Sequence, residues 1–380
     1  MEFGDRASNF SVELLYYTAE ETDWHTVISP LGVWSLLIGV SMGTTGNGHE
    51  QLRRGLFLSK KSNGLASDYN KFIKDVIKPP TTEVMLKNKN YLFVDSGFGL
   101  KAEFQLSIVN DFGAKVTGMR FASPEAAAAK ANSVIHKSDA SVSDVFHSDD
   151  FRNSKMILTN VISFKGFWRM PFNETETRVL PFYDENHKEI GKVNMMQQQN
   201  DFQISNIAQI SSMVLELPYG VDDHYSFLAV LPYFEVKLSE VYGALEKVSI
   251  RDILEKLRSD NEMFGESKVM VSLPRFKIST NVILNRPLQS MGVVDIFDPN
   301  TSSFRLISKN EGLYVSAIVH KADIEVTETG TVASAATSAY FADRALPGNF
   351  NANRPFLYFI IEKSTGTIIF SGAYSKPTIF

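Results

Sequence analysis

Gly39-Val40-Ser41-Met42-Gly43 has the spacing of a nucleophile elbow, the sharp strand-to-helix turn that exposes a serine hydroxyl for acyl transfer. Its surroundings do not fit, because an apolar helical run precedes Ser41 and a Thr-Thr-Gly-Asn-Gly turn follows it. Small residues closing a helix end account for it better than esterase chemistry. His49-Glu50 begins like a zinc-protease helix, yet position 53 is Arg. The other histidines (25, 136, 147, 187, 224 and 320) never fall at ligand spacing, so no metal and no other cofactor is expected. Gly97-Phe98-Gly99 lacks the third glycine of a dinucleotide loop, and no Gly-x4-Gly-Lys cradle exists. With no cysteine there is no disulfide framework and no thiolate nucleophile. Catalysis by this chain is not expected.

The 380 residues carry 38 Lys and Arg against 43 Asp and Glu, a net charge of −5 without long single-sign runs, which argues against nucleic-acid binding. The 44% hydrophobic content and 28 Phe describe a packed globular chain. Thr26 to His49 is free of Lys, Arg, Asp and Glu. Its mostly apolar part, Val33 to Met42, falls short of the ~20 residues that cross a bilayer, so a buried helix is expected rather than a membrane span. Asn9, Asn173 and Asn300 each begin a glycosylation sequon, and they tilt the reading toward an extracellular glycoprotein whose signal peptide is absent from this chain.

Helical spacing of Phe10, Leu14 and Tyr17, the Ser29-Pro30 helix start and an amphipathic Glu50 to Leu58 occupy the first part. Further helical patches lie at 104–112, 125–136, 238–241 and 250–257. Short β-branched and aromatic segments predict strands at 85–94, 157–164, 214–218, 225–231, 269–273, 314–326 and 356–361. Strands and helices do not alternate regularly, so the class is α+β; no linker composition divides the chain, and 1–380 reads as one domain.

Gly330 to Asn353 is the exception, some two dozen small and polar positions held between strand-forming segments. Gly330 to Ala339 contains only Gly, Ala, Ser, Thr and Val. As a strand it would put Thr331, Ala333, Ala335, Thr337 and Ala339 on one face, and both faces suit burial in an existing sheet. A charged residue on the first face would cost several kcal/mol to bury.

This segment with its flanks resembles the reactive-centre loop of the serpins, and the resemblance extends over nearly the whole chain. Asn160-Val-Ile-Ser-Phe-Lys-Gly-Phe-Trp168 with Pro171-Phe172 is similar to the family's Asn-x-x-x-Phe-x-Gly-x-Trp…Pro-Phe motif. Ser29-Pro30, Asn90-Tyr-Leu-Phe93, Val193-Asn-Met-Met196, Leu215-Glu-Leu-Pro-Tyr219, Leu273-Pro-Arg-Phe276, Gly292-Val-Val-Asp295-Ile-Phe297, His320-Lys-Ala322, Arg354-Pro-Phe356, Phe370-Ser-Gly372 and Pro377 follow in family order. Phe350-Asn-Ala-Asn-Arg-Pro355 looks like arthropod members.

The resemblance implies about nine helices around three β-sheets, with 328–353 exposed as protease bait. Counting sixteen residues on from Glu328, and ten back from Pro355 to Ala345, the resemblance puts the scissile bond at Arg344-Ala345. An arginine there suits the aspartate pocket of trypsin-like serine proteases, the partner expected in a covalent acyl complex. By the family's mechanism, cleavage lets 330–343 insert as a new strand of the central sheet, and at roughly 3.3 Å per residue the fifteen residues from Gly330 to Arg344 span about 50 Å.

Glu328, Gly330, Thr331, Ala333, Ala335 and Ala336 would form the hinge. Ser29, Asn160 and His320 would be a hydrogen-bonded shutter beneath the sheet, with Trp168 and an Arg275–Glu328 pair at the point of first insertion. The inhibitor is expected to be monomeric. Weak glycosaminoglycan binding at Lys71, Lys74 and Lys78 competes with a solvated helix face. A non-inhibitory carrier or chaperone-like serpin is the alternative, and the small hinge residues weigh against it. Thr329 and Val332 stand where the family usually has acidic residues, Gly32 replaces a shutter serine and His25 an asparagine.

Overall fold

The computed structural model describes residues 3–59, 64–138, 142, 144–264, 268–331 and 348–380. Nine α-helices and three sheets lie among them, as the resemblance implied. The expected strands are present and extend one to three residues beyond the apolar runs, as in Met156–Phe167 and Val315–Thr327. The helix expected at Glu50 to Leu58 instead covers Gly46–Gly55, because the chain turns at Phe57, whose φ is 55°.

One sheet is almost wholly interior. Its strands run in the order Thr26–Ile28, Thr367–Tyr374, Phe356–Glu362, Tyr225–Pro232, Ser212–Tyr219 and Gln203–Ile207. Every residue of the three strands 225–232, 356–362 and 367–374 is buried, which their continuous apolar runs require. A second sheet orders Gly348–Asn351, Lys268–Pro274, Glu189–Asp201 and Arg178–Tyr183. Gly348–Asn351 lies within the 328–353 expected to be exposed, yet it pairs in parallel with Lys268–Pro274 and buries Phe350, so the expected exposure does not extend to its end.

The central sheet positions the site. Its order is Phe276–Ile283, Val315–Thr327, Gly330–Thr331, Met156–Phe167, Val84–Asp95 and Ala114–Met119. Alternation sends its side chains into two cores. Tyr91, Phe93, Ile157 and Val161 pack with Ala127, Ala128, Ala131 and Ile135 of helix Pro124–His136. Leu92, Leu158, Ile162 and Ile318 face the main core with Trp34 and Leu37 of helix Pro30–Ser41. That second helix begins as expected: Ser29 accepts the Gly32 amide at 3.4 Å, and Pro30 occupies the first turn. Ser41 lies buried in its last turn, its hydroxyl donating to the Ile38 carbonyl at 2.7 Å, so the elbow reading fails for lack of an exposed nucleophile.

Candidate functional site

Strands Val315–Thr327 and Met156–Phe167 are parallel neighbours over only part of their length. Their register runs from Val315 opposite Met156 to Lys321 opposite Val161. Beyond that point each strand stays paired on its outer side, Met156–Phe167 with Val84–Asp95 and Val315–Thr327 with Phe276–Ile283. Between them the described residues leave a gap, entered from the top by the hinge. Gly330 pairs with Thr327 and Phe167, and Thr331 with Val326 and Gly166.

The expectation of a hinge exposed from Gly330 onward is therefore corrected: both residues are buried and already belong to the sheet. Small size lets them fit between the two strands, where both pair with each neighbour. Ala333, Ala335, Ala336, Arg344 and Ala345 lie outside the described residues.

The Asn160–Trp168 motif builds the entrance. Phe164 meets the Tyr219 ring edge-on at 4.9 Å, and Trp168 stacks on its other face at 4.5 Å. Gly166 makes room, since a Cβ there would stand 2.7 Å from the Tyr219 ring. Trp168 Nε1 donates to the Thr327 carbonyl at 2.9 Å, and the amides of Trp168 and Phe172 donate to the carbonyls of Thr329 and Glu328. The turn out of strand Val315–Thr327 is thus held by its backbone. Gly330, with φ 143°, accepts a conformation that L side chains avoid, and a Cβ would fall 2.1 Å from the Gly166 carbonyl oxygen.

Side chains fasten the same turn. Arg275 Nη1 lies 3.5 Å from Glu328 Oε2, the pair expected by resemblance. The Thr177 hydroxyl donates to Glu328 Oε1 at 2.7 Å, and Tyr219 Oη bonds Thr331 Oγ1 at 2.8 Å. Burial pushes the Tyr219 phenol far above its usual range, so it is a neutral partner at any physiological pH. Thr177 carried no sequence signal, and Tyr219 only its place in Leu215–Tyr219.

The expected three-way shutter is brought together only in part. His320 Nε2 accepts from the Ser29 backbone amide at 2.9 Å, while the Ser29 hydroxyl donates to Ile369 O at 2.7 Å. Asn160 sits opposite His320 in the register, but its Nδ2 donates to Asn88 Oδ1 at 2.6 Å and Asn90 Oδ1 at 2.8 Å. The missing side chain at Gly32 explains the difference: a Cβ there would lie 2.0 Å from Asn160 Oδ1, so the amide fills the space a serine would take. Complete burial holds the His320 imidazole down, to about 3, in its neutral form.

The sequon residues differ. Asn9 lies within helix Phe3–Glu21 and Ser11 is buried, its hydroxyl donating to Ala7 O. Asn173 Oδ1 accepts from the Thr175 amide and hydroxyl, and Asn300 is exposed.

Comparison with known families matches residues 5–377 to the serpin (serine protease inhibitor) family. Leukocyte elastase inhibitor of Xenopus tropicalis is 31% identical, with 97% of this chain and 98% of that protein covered. Human serpin B9 is 28% identical with 98% of each covered. The solved structure of native protease nexin-1 with heparin is 25% identical, with TM-score 0.84 and 99% of each chain covered.

Two outcomes are expected. Glu328→Lys removes the acceptor of Arg275 and Thr177 and buries a like charge beside Arg275, a change worth about 3 kcal/mol or more; size-exclusion chromatography after mild heating should show multimers that the parent lacks, and an unchanged profile would count against the pair. His320 ionises near 6.5 when unfolded but near 3 when folded, so its contribution is fully present above pH 6.5 and is lost as pH falls toward 3. Urea midpoints should drop across that window, less steeply in His320→Gln; equal slopes would remove His320 as the source.

Proposed function

The chain belongs to the serpin family of serine protease inhibitors, and on that premise we propose that it is a suicide-substrate inhibitor of a trypsin-like serine protease, cleaved between Arg344 and Ala345. The protease serine attacks the Arg344 carbonyl, the amine of Ala345 departs, and the Arg344 acyl-enzyme remains. Insertion of 330–343 between Val315–Thr327 and Met156–Phe167 then carries the protease away before water completes hydrolysis. Some dozen new ladder bonds at roughly 1 kcal/mol each give on the order of 10 kcal/mol for distorting the catalytic site.

The observation that supports this reading is the docked pair Gly330–Thr331, which has small side chains, lies between the two strands and heads into the gap that the rest of 330–343 would fill. No catalytic group is required of this chain. Asp343 beside the bait disfavours proteases with acidic subsites there.

The same reading takes 1–380 as one domain with 328–353 as its reactive loop, monomeric and secreted. Asn300 and Asn173 are the better placed glycan acceptors, since the Asn9 sequon has its serine buried within a helix. No described helix is long and apolar enough to cross a membrane. Protease nexin-1 was solved with heparin, and a weak glycosaminoglycan site is proposed here at exposed Lys71 and Lys74 and half-buried Lys78 of helix Leu65–Val76 and its exit, although Lys78 lies 3.9 Å from Asp75.

Mixed with trypsin, the protein should give a band on a denaturing gel that survives boiling, and Arg344→Ala should lose it while melting at the parent's temperature. Undiminished trapping by Arg344→Ala would misplace the scissile bond. Ala333→Arg places an unpartnered cation on the strand face that would enter the sheet next after the already seated Thr331; about 3 kcal/mol on insertion slows it more than a hundredfold, since ~1.4 kcal/mol is a factor of ten. Cleavage should still expose Ala345 as a new amino terminus, but active trypsin should be released. Near one-to-one trapping by Ala333→Arg would sink the hinge assignment.

A further inference from the structure

Phe380 lies far from the bait loop in sequence, yet its ring covers the outer side of the turn into the hinge. The Arg275 guanidinium carbon stands 5.2 Å from the ring centroid and the Lys277 ammonium 5.9 Å. Each cation is also an ion-pair partner across the same two strands: Arg275 reaches Glu328 at 3.5 Å, and Lys277, directly opposite Glu325 in the register, reaches it at 3.0 Å. One ring thus spans both bridges between Phe276–Ile283 with its preceding Arg275 and Val315–Thr327 with its exit turn.

The ring is held in place. Asn194 Nδ2 donates to the Phe380 main-chain oxygen at 2.8 Å, and the Asn194 carbonyl accepts the Arg275 amide at 2.7 Å, so one residue anchors both partners. Earlier in the segment the Thr378 amide reaches Tyr374 Oη at 3.3 Å, and Pro377 lies against Gly191.

We propose that Phe380 is a positioning residue for loop insertion: its ring holds Arg275 on Glu328 and so pins the turn from which the hinge enters the central sheet. A pair as long as 3.5 Å, with Arg275 35% exposed, is weak when water competes for it. An aromatic face over the guanidinium excludes water on one side and attracts the cation by its quadrupole, fixing the direction in which the fork points. Glu328 is 3% exposed, and its other oxygen is already engaged by Thr177. Arg275 is therefore the part of the clasp free to move, and Phe380 the part that stops it. The consequence for inhibition rests on the proposed function; the clasp itself does not.

Phe380→Ala, Phe380→Leu and Phe380→Trp are compared in the parent and in Arg275→Gln, without any protease, by the rate at which the starting species disappears from size-exclusion profiles at a fixed temperature below the melt. Loosening the turn lets the gap open and its unpaired edges template association. Ala and Leu should both speed the loss by roughly threefold or more, Trp should match or slow the parent, and in Arg275→Gln the Ala change should add little. Leu behaving like the parent would mean the residue only fills space, and an undiminished Ala effect without Arg275 would overturn the clasp. If Ala fails to fold, the Leu and Trp pair decides. A protein that failed to trap trypsin could still show this pattern, so the two readings fail separately.

Discussion

Everything in the central sheet depends on how far one parallel seam is closed. From Met156 to Val161 the strand is paired with Val315–Lys321; above, the two strands separate and Gly330–Thr331 occupies the opening. A sheet interior normally leaves few backbone donors or acceptors unmatched, so a seam that stops partway is an invitation to a further strand. The chain supplies one immediately after Thr327. Its first residues are already seated, which makes insertion the continuation of an existing pairing rather than a new nucleation.

The entrance and the closed part of the seam are built from different materials. At the entrance, rings meet: Phe164 touches Tyr219 edge-on, Trp168 stacks on Tyr219, and Tyr219 ends on the Thr331 hydroxyl. The ring contacts are joined there by the Trp168 Nε1 bond to Thr327 and the Thr177 bond to Glu328, so the turn is fixed by both apolar area and hydrogen bonds. In the closed part, buried polar residues meet: His320 lies opposite Asn160, one bonded to the Ser29 amide and the other to Asn88 and Asn90. Asn160 Oδ1 and His320 Nδ1 lack partners among the described residues, and the hydroxyl that crosses the seam is that of Thr159, donating to the Val319 carbonyl, so that buried bond would resist a parting of the strands.

Local pattern was enough for Tyr225–Pro232 and Phe356–Glu362 but passed over the equally buried Thr367–Tyr374, whose Ser371 and Gly372 interrupt the apolar run, and Ser29-Pro30 marked its helix start because capping and proline geometry are local effects. Glu189–Asp201 escaped because its Gln197-Gln198-Gln199-Asn200 stretch has no strand alternation, although Val193, Met195 and Met196 are buried. Helix Leu65–Val76 was legible only as a lysine face. At the site, Trp168, Arg275, His320 and Ser29 were reached by motif resemblance, which preserves position but not hydrogen-bond partners. Asn160 shows the limit: its side chain fills the space beside Gly32, which is far away in sequence, and its amide bonds Asn90. The docked state of Gly330–Thr331 and the placement of Phe380 depend on contacts between segments distant in sequence, which no local spacing encodes.

The seam also sets the energetic terms of the proposed mechanism. Completing a central strand would add bonds on two edges, on the order of 10 kcal/mol, comparable with the whole stability of an ordinary domain. That gain is withheld because the lower register positions from Val315 to Lys321 must first part from Met156–Val161. His320 and Asn160 stand at the upper end of that stretch, where an advancing strand would arrive first, and Val161 beside them shares a buried cluster with Ala127, Ala128 and Ala131 of helix Pro124–His136. The barrier proposed for that parting therefore lies in the seam's own register bonds and the Thr159 hydroxyl, and Gly32, where the resemblance expects a serine, bears on the rate of insertion more than on the final gain.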